Sequence, residues 1–357
     1  MEERFAALLT EYCLDLKPGQ SVLIEAEPAA LPLLEVLQPV VLQRGAYPIV
    51  QLFPAAVSRP FFLYGGEWLD RVPPAQLQLL EQVDASLRIE SAQNPLELSD
   101  VPPAKLAKYR TGWRPYLQKR ARKRWCLTLY PTAGYAQQAR MSTAGFRAFL
   151  ERALYLDRPD PTAAWRELSA FQSALIERLQ KVKEIRIQGD RTDLRLRVEG
   201  RTWINSDGRR NMPSGEVFTG PIESSAEGEV YFNLPAVVSG QRVEGVRLSF
   251  REGRVVEASA QTGEEYLLKM LEVDPGARYL GELGIGTNFG IHRPTGLILL
   301  DEKVGGTVHL ALGQSYAETG GTNSSSIHWD LILDLRGGGR LWADGEVLQE
   351  DGQFVGL

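Results

Sequence analysis

The sequence predicts an α/β N-terminal domain with a mostly parallel sheet over residues 1–160, followed by an α+β C-terminal domain over residues 161–357. Three observations carry this reading. In the first half, short apolar strands alternate with helices, the grammar of βαβ units. From about residue 183 onwards, strands and turns follow one another almost without a helix. Between the two, Asp157-Arg-Pro-Asp-Pro161 places two prolines where a helix would have to continue, and proline has no amide for a helix interior.

The elements follow in chain order. Residues 3–13 repeat apolar positions at helical spacing. Ser21-Val-Leu-Ile-Glu25 is a short buried strand, 29–44 a helix, and Tyr47-Pro-Ile-Val-Gln-Leu52 the next strand. A helix near 75–82 leads to a strand at 84–89, and a helix over 103–122 leads to the strand Trp125-Cys-Leu-Thr-Leu129. Helices near 142–155 and 162–182 follow. Strands are then expected at 183–188, 193–198, 229–233, 243–250, 254–260, 307–312 and 327–335, with one helix at about 263–272. Residues 243–250 and 254–260 alternate in polarity around Arg251-Glu-Gly253, a hairpin signature.

Composition narrows the function. A chain of 357 residues can bury two cores without disulfides or structural metals. Hydrophobic content of 43% with 24% charge excludes collagen, coiled coil and disorder. No apolar run approaches a membrane span, and Met1-Glu2-Glu3-Arg4 lacks the start of a secretory signal. Cys13 and Cys126 are the only cysteines and form no CxxC pair. That excludes a disulfide framework and a thiolate zinc site, and it suits a cytoplasmic location. A net charge of −5 does not describe a general polyanion binder.

Histidine chemistry has three candidates: His292, His309 and His328. In Ser326-Ile-His-Trp-Asp-Leu-Ile-Leu333, side chains alternate along the strand, so His328 and Asp330 share a face and Trp329 takes the other. Such a pair either hydrogen-bonds or shares a divalent metal. His309 sits inside the apolar Gly305-Gly-Thr-Val-His-Leu-Ala-Leu-Gly313, as a core residue or as a second ligand. His292, before Arg293-Pro294, is a loop residue with no assigned role. Glu216, in Asn211-Met-Pro-Ser-Gly-Glu-Val-Phe-Thr-Gly-Pro221, and Glu282, in Tyr279-Leu-Gly-Glu-Leu-Gly-Ile-Gly-Thr-Asn288, are expected in glycine-rich loops that allow close backbone approach. Two features point elsewhere. Lys119-Arg-Ala-Arg-Lys-Arg124 is either a nucleic-acid patch or the basic end of a helix, and it lacks interleaved aromatics. Gly284-Ile-Gly286 starts like a dinucleotide loop, but Phe289 stands where the third glycine belongs.

Taken as an ordered set, these motifs resemble the thermophilic metallo-aminopeptidase family (the aminopeptidase T, AmpS and PepS type). The set comprises Asn-Met-Pro-x-Gly-Glu-Val-Phe, Leu-Gly-Glu-Leu-x-x-Gly-Thr-Asn, Gly-Gly-Thr-x-His-Leu-Ala-Leu-Gly, Ser-Tyr-x-Glu-Thr-Gly-Gly and Ile-His-Trp-Asp. Arg124-Trp-Cys-Leu-Thr-Leu-Tyr-Pro-Thr132 and Arg140-Met-Ser-Thr143 extend the likeness upstream. The resemblance implies metal ligands at Glu216, Glu282, His309, His328 and Asp330, an active-site tyrosine at Tyr316, two divalent ions per subunit and a homodimer. It implies peptide substrates with a free N-terminus, and neither nucleic-acid nor membrane partners. The short segment Ala317–Ile327 resembles the leucyl-type branch rather than the type member. Three carboxylates and two imidazoles suffice for two ions if one carboxylate bridges, for which Glu282 is the choice, and a thiolate-free set suits zinc, cobalt or manganese. Glu282 and Tyr316 are thereby the expected catalytic residues. The competing reading is a non-catalytic nucleic-acid or nucleotide-binding protein that uses residues 119–124.

Overall fold

Residues 1–238 and 241–356 are described by a computed structural model. The chain separates into two units: Met1–Ala164 with Gly208–Pro213, and Trp165–Asp207 with Ser214–Leu357.

The first unit is built on a parallel sheet in the order Tyr47–Leu52, Ser21–Ala26, Ala85–Glu90, Arg124–Leu129, Asn211–Met212. Val22, Leu23, Ile24, Leu87, Ile89 and Cys126 are all buried. Continuous burial along a strand is what helices on both faces of a parallel sheet produce. The helices depart from the sequence reading at several points. Gly66–Asp70 and Ala133–Gln138 are short helices that the pattern did not announce. Ala55–Tyr64 is an additional helix. The helix expected over 103–122 is two helices, Pro103–Gly112 and Arg114–Ala121. Pro115 explains the break, because it has no amide to bond a carbonyl of the preceding turn.

The basic run is engaged within this unit. Arg120 donates to Ser86 Oγ at 3.3 Å and to the Cys126 carbonyl at 3.2 Å, with its guanidinium 4.9 Å from the Trp125 ring centroid. Lys123 donates to the Glu81 carbonyl at 2.9 Å, and Arg124 to the Leu14 carbonyl at 2.7 Å. Lys119 pairs with Glu81 at 3.0 Å. These side chains tie helix ends and strand ends together.

The second unit contains an eight-stranded sheet and a five-stranded sheet. The expected hairpin is present in the larger sheet, between Val246–Arg251 and Arg254–Ser259. Its two-residue turn has positive φ at both Glu252 and Gly253, as a turn that matches strand twist requires. The five-stranded sheet is antiparallel, in the order His328–Asp334, Thr307–Gly313, Leu280–Gly286, Glu216–Thr219, Ile204–Ser206. On one face, Val217, Leu283, Ile285, Val308, Leu310, Leu312, Trp329, Leu331 and Leu333 join the hydrophobic core of the unit. Each such side chain contributes about 1.5–3 kcal/mol on burial, which fixes the strands that carry the opposite face.

Glu216 and Glu282 are therefore not loop residues, contrary to expectation. Glu216 begins one strand and Glu282 lies within another. The glycines around them, read as loop-formers, instead leave room on the sheet surface.

Candidate metal centre

Register places the polar residues together. Gly286 pairs with Glu216, Gly284 with His309, Glu282 with Ala311, Ala311 with Asp330, and Gly313 with His328. Directly paired residues point to the same face, and so do residues two apart along a strand. Glu216, Glu282, His309, His328 and Asp330 consequently all project from one face, interspersed with Gly284, Gly286, Ala311 and Gly313. Those small residues form the floor of the cluster. Gly284 is required, because a Cβ there would lie 1.9 Å from His309 Cε1 and 2.0 Å from Nε2.

Glu282 stands at the middle. Its Oε1 is 3.3 Å from His309 Nε2, and its Oε2 is 3.3 Å from His328 Nε2. Glu216 Oε2 lies 3.5 Å from His309 Nε2, and Asp330 Oδ1 lies 3.4 Å from His328 Nε2. Among the described residues, two groups thus converge, Glu216–Glu282–His309 and Glu282–His328–Asp330, sharing Glu282. All four separations exceed the 2.7–2.9 Å of a charge-assisted hydrogen bond. They match instead the edge of a tetrahedron with metal–ligand bonds of about 2.0–2.1 Å, which is about 3.3–3.4 Å. Glu216 Oε2 is buried and has no hydrogen-bond partner among the described residues. A buried orphan carboxylate oxygen is costly unless a cation satisfies it. The donor set fits divalent ions on these grounds.

His328 is also oriented from behind. The Gln314 carbonyl accepts from Nδ1 at 2.8 Å, which directs Nε2 toward the carboxylates, an orientation usual for metal-bound histidine. The protonation equilibria follow from the same crowding. Burial pulls His309 down, but Glu282 and Glu216 outweigh it and lift the imidazole to about 9. His328 is likewise raised, with Asp330 and Glu282 overriding burial. Burial raises Glu282 and Asp330, yet the histidines hold Glu282 below its ordinary value and Asp330 down to about 2. The cluster is a trap for positive charge, whether protons or metal.

Tyr316 follows the His309 strand. Its ring centroid is 5.1 Å from that of His328 and 5.7 Å from that of Phe218. The residue is 44% exposed. The surrounding protein raises its phenol above the ordinary value, while His328 works the other way. His292 is exposed and lies outside both groups.

Two residues at the centre escaped the sequence reading. Lys303 is wholly buried, with Nζ 3.5 Å from Glu216 Oε1, and it also pairs with Glu302. Burial raises Glu302 to about 7 despite Lys303. The only signal was Asp301-Glu302-Lys303 beside Gly305-Gly306, and a run of charges ordinarily marks a solvated face.

The chain is similar to known proteins along nearly its whole length. Residues 1–353 match the model of a family described as thermophilic metalloprotease (M29). The chain is 28% identical to aminopeptidase T of Thermus aquaticus, over 99% of this chain and 96% of that one. It is 28% identical to aminopeptidase 2 of Geobacillus stearothermophilus, over 93% and 91%. The solved structure of wild-type AmpT from Thermus thermophilus shares the fold, with a TM-score of 0.87 at 24% identity, covering 99% of this chain and 98% of that one.

Proposed function

The chain belongs to the M29 family of thermophilic metalloproteases, and from that premise we propose that it is an aminopeptidase that removes N-terminal residues from peptides at a pair of divalent ions. The relatives named above are aminopeptidases, and the match to each spans nearly the whole of both chains. The observation that carries the two-ion reading is Glu282, whose two oxygens face two different histidines at 3.3 Å each. Glu216 and His309 would complete one site, and His328 and Asp330 the other, with Glu282 bridging. Zinc, cobalt and manganese suit such a set of nitrogen and oxygen donors.

When bound, such ions polarise a scissile carbonyl and supply an acidified water. The remaining work falls to the chain itself. The sheet fixes the five ligands on neighbouring strands. The Gln314 carbonyl holds His328 in one tautomer. Tyr316 keeps its proton at neutral pH and can donate a hydrogen bond to the oxygen that gains charge as the amide is attacked. The protein is further proposed to be a cytoplasmic homodimer. Among the described residues no helix is long and apolar enough to cross a membrane.

The test is exhaustive chelation followed by reconstitution. Hydrolysis of aminoacyl amides should vanish with the metal, verified by elemental analysis, and return with zinc, cobalt or manganese. Full activity in verified metal-free protein would overturn the reading.

A further inference from the structure

Lys303 is buried beside the centre, yet the chemistry above does not use it. It arrives there through a glycine. Gly286 is the strand partner of Glu216, and a Cβ on Gly286 would lie 2.0 Å from the Val304 carbonyl oxygen. The missing side chain lets the 303–304 backbone lie against the strand next to Glu216. That backbone is pinned: the Asn288 amide donates to the Lys303 carbonyl at 3.0 Å, and the Lys303 amide to the Leu300 carbonyl at 3.2 Å.

From this anchored position the ammonium takes Glu216 Oε1 at 3.5 Å, with Glu302 as its second carboxylate. Glu216 is left with Oε2, directed at His309 Nε2. An ammonium has no lone pair and cannot itself bind a cation. What it can do is orient the carboxylate that it holds. Without it, the Glu216 carboxylate could turn about its terminal bond and present either oxygen or both. Within the described residues, no ion pair joins Lys303 to Glu282, His328 or Asp330; its charge reaches Asp330 only at longer range, whereas Glu216 and Glu302 are paired with it directly.

We propose that Lys303 is a positioning residue for Glu216, holding Oε1 so that Oε2 alone serves the ion shared with Glu282 and His309. The two ions are then held unequally: one depends on Lys303 through a direct contact with its ligand, and the other does not. This rests on the two-ion reading above.

The experiment is zinc titration of metal-free protein by calorimetry, comparing wild type with Lys303→Met. Wild type should bind two equivalents. In Lys303→Met, one equivalent should weaken by about 10–100-fold, the usual cost of removing a residue that orients a ligand, while the other keeps its affinity. Anomalous scattering should place the weakened ion at Glu216–Glu282–His309. The same selective loss is expected of Lys303→Arg, because a planar fork cannot reproduce the contact of a compact ammonium, and this variant serves if Lys303→Met does not fold. Two unchanged equivalents would overturn the proposal, and so would tightening of the ion at Glu216 or equal weakening of both ions. Wild type that binds no zinc would instead overturn the two-ion reading.

Discussion

Gly284→Ala is the sharpest test of the floor beneath the proposed ligands. The added Cβ would stand 1.9 Å from His309 Cε1 and 2.0 Å from Nε2. Carbon atoms in contact prefer about 3.5–4.0 Å, so the imidazole must retreat by about 1.5 Å or more. The Gly284 strand cannot yield in its place, because it is hydrogen-bonded on both sides, to the strands of Glu216 and His309. Its opposite face is core. The imidazole is therefore displaced, while the strand stays. A misplacement of about 1 Å at a reacting centre costs about 10²-fold, and Gly284→Ala should lower kcat/KM by at least that much. Bound zinc, measured by elemental analysis after dialysis, should fall below two equivalents. Overpacking should cost about 1–3 kcal/mol of stability, leaving the variant folded by circular dichroism. Gly337→Ala is the control, since a Cβ there meets nothing within 4 Å. Wild-type zinc content and rate in Gly284→Ala would refute the placement of His309 over this glycine.

Three further outcomes are expected. Tyr316→Phe should keep its zinc and lower kcat by about 10²–10³, the cost of one oxyanion donor; a wild-type kcat would remove the phenol from the reaction. His328→Ala should lose both zinc and hydrolysis while His292→Ala keeps both; a His328→Ala protein that retains normal metal content would exclude His328 as a ligand. In chelated protein, the rise of His309 to about 9 from an ordinary 6.5 stabilises the fold fully below about 6.5, and this contribution fades as pH rises through about 9. Thermal melts of metal-free protein between pH 6 and 10 should therefore show falling stability, whereas zinc affinity should climb over the same range as protons leave the imidazoles. A metal-free protein that gains stability across that window would contradict the sign.

The parallel half was legible because its strands are uninterrupted apolar runs: Val22, Leu23 and Ile24 announce a strand covered on both faces. The pairing of His328 with Asp330 was legible because strand alternation is rigid, and Trp329 between them enters the core as that alternation requires. The Glu282 strand was not. Gly281, Gly284 and Gly286 occupy positions where a strand usually shows side chains, and they erase its period. Their reason is steric: His309 above Gly284 and Val304 above Gly286. Lys303 was invisible for a different reason, since only tertiary structure distinguishes a buried ammonium held by two carboxylates from a charge in water.

The proposed ligands stand on adjacent strands, and adjacent strands keep a pitch of about 4.8 Å set by backbone hydrogen bonds. That pitch is not open to evolution or to engineering in the way a loop is. What remains adjustable is the reach of each side chain. Redesigning this centre for a larger or a smaller cation is therefore a matter of exchanging glutamate for aspartate, one methylene at a time, on an unchanging ruler.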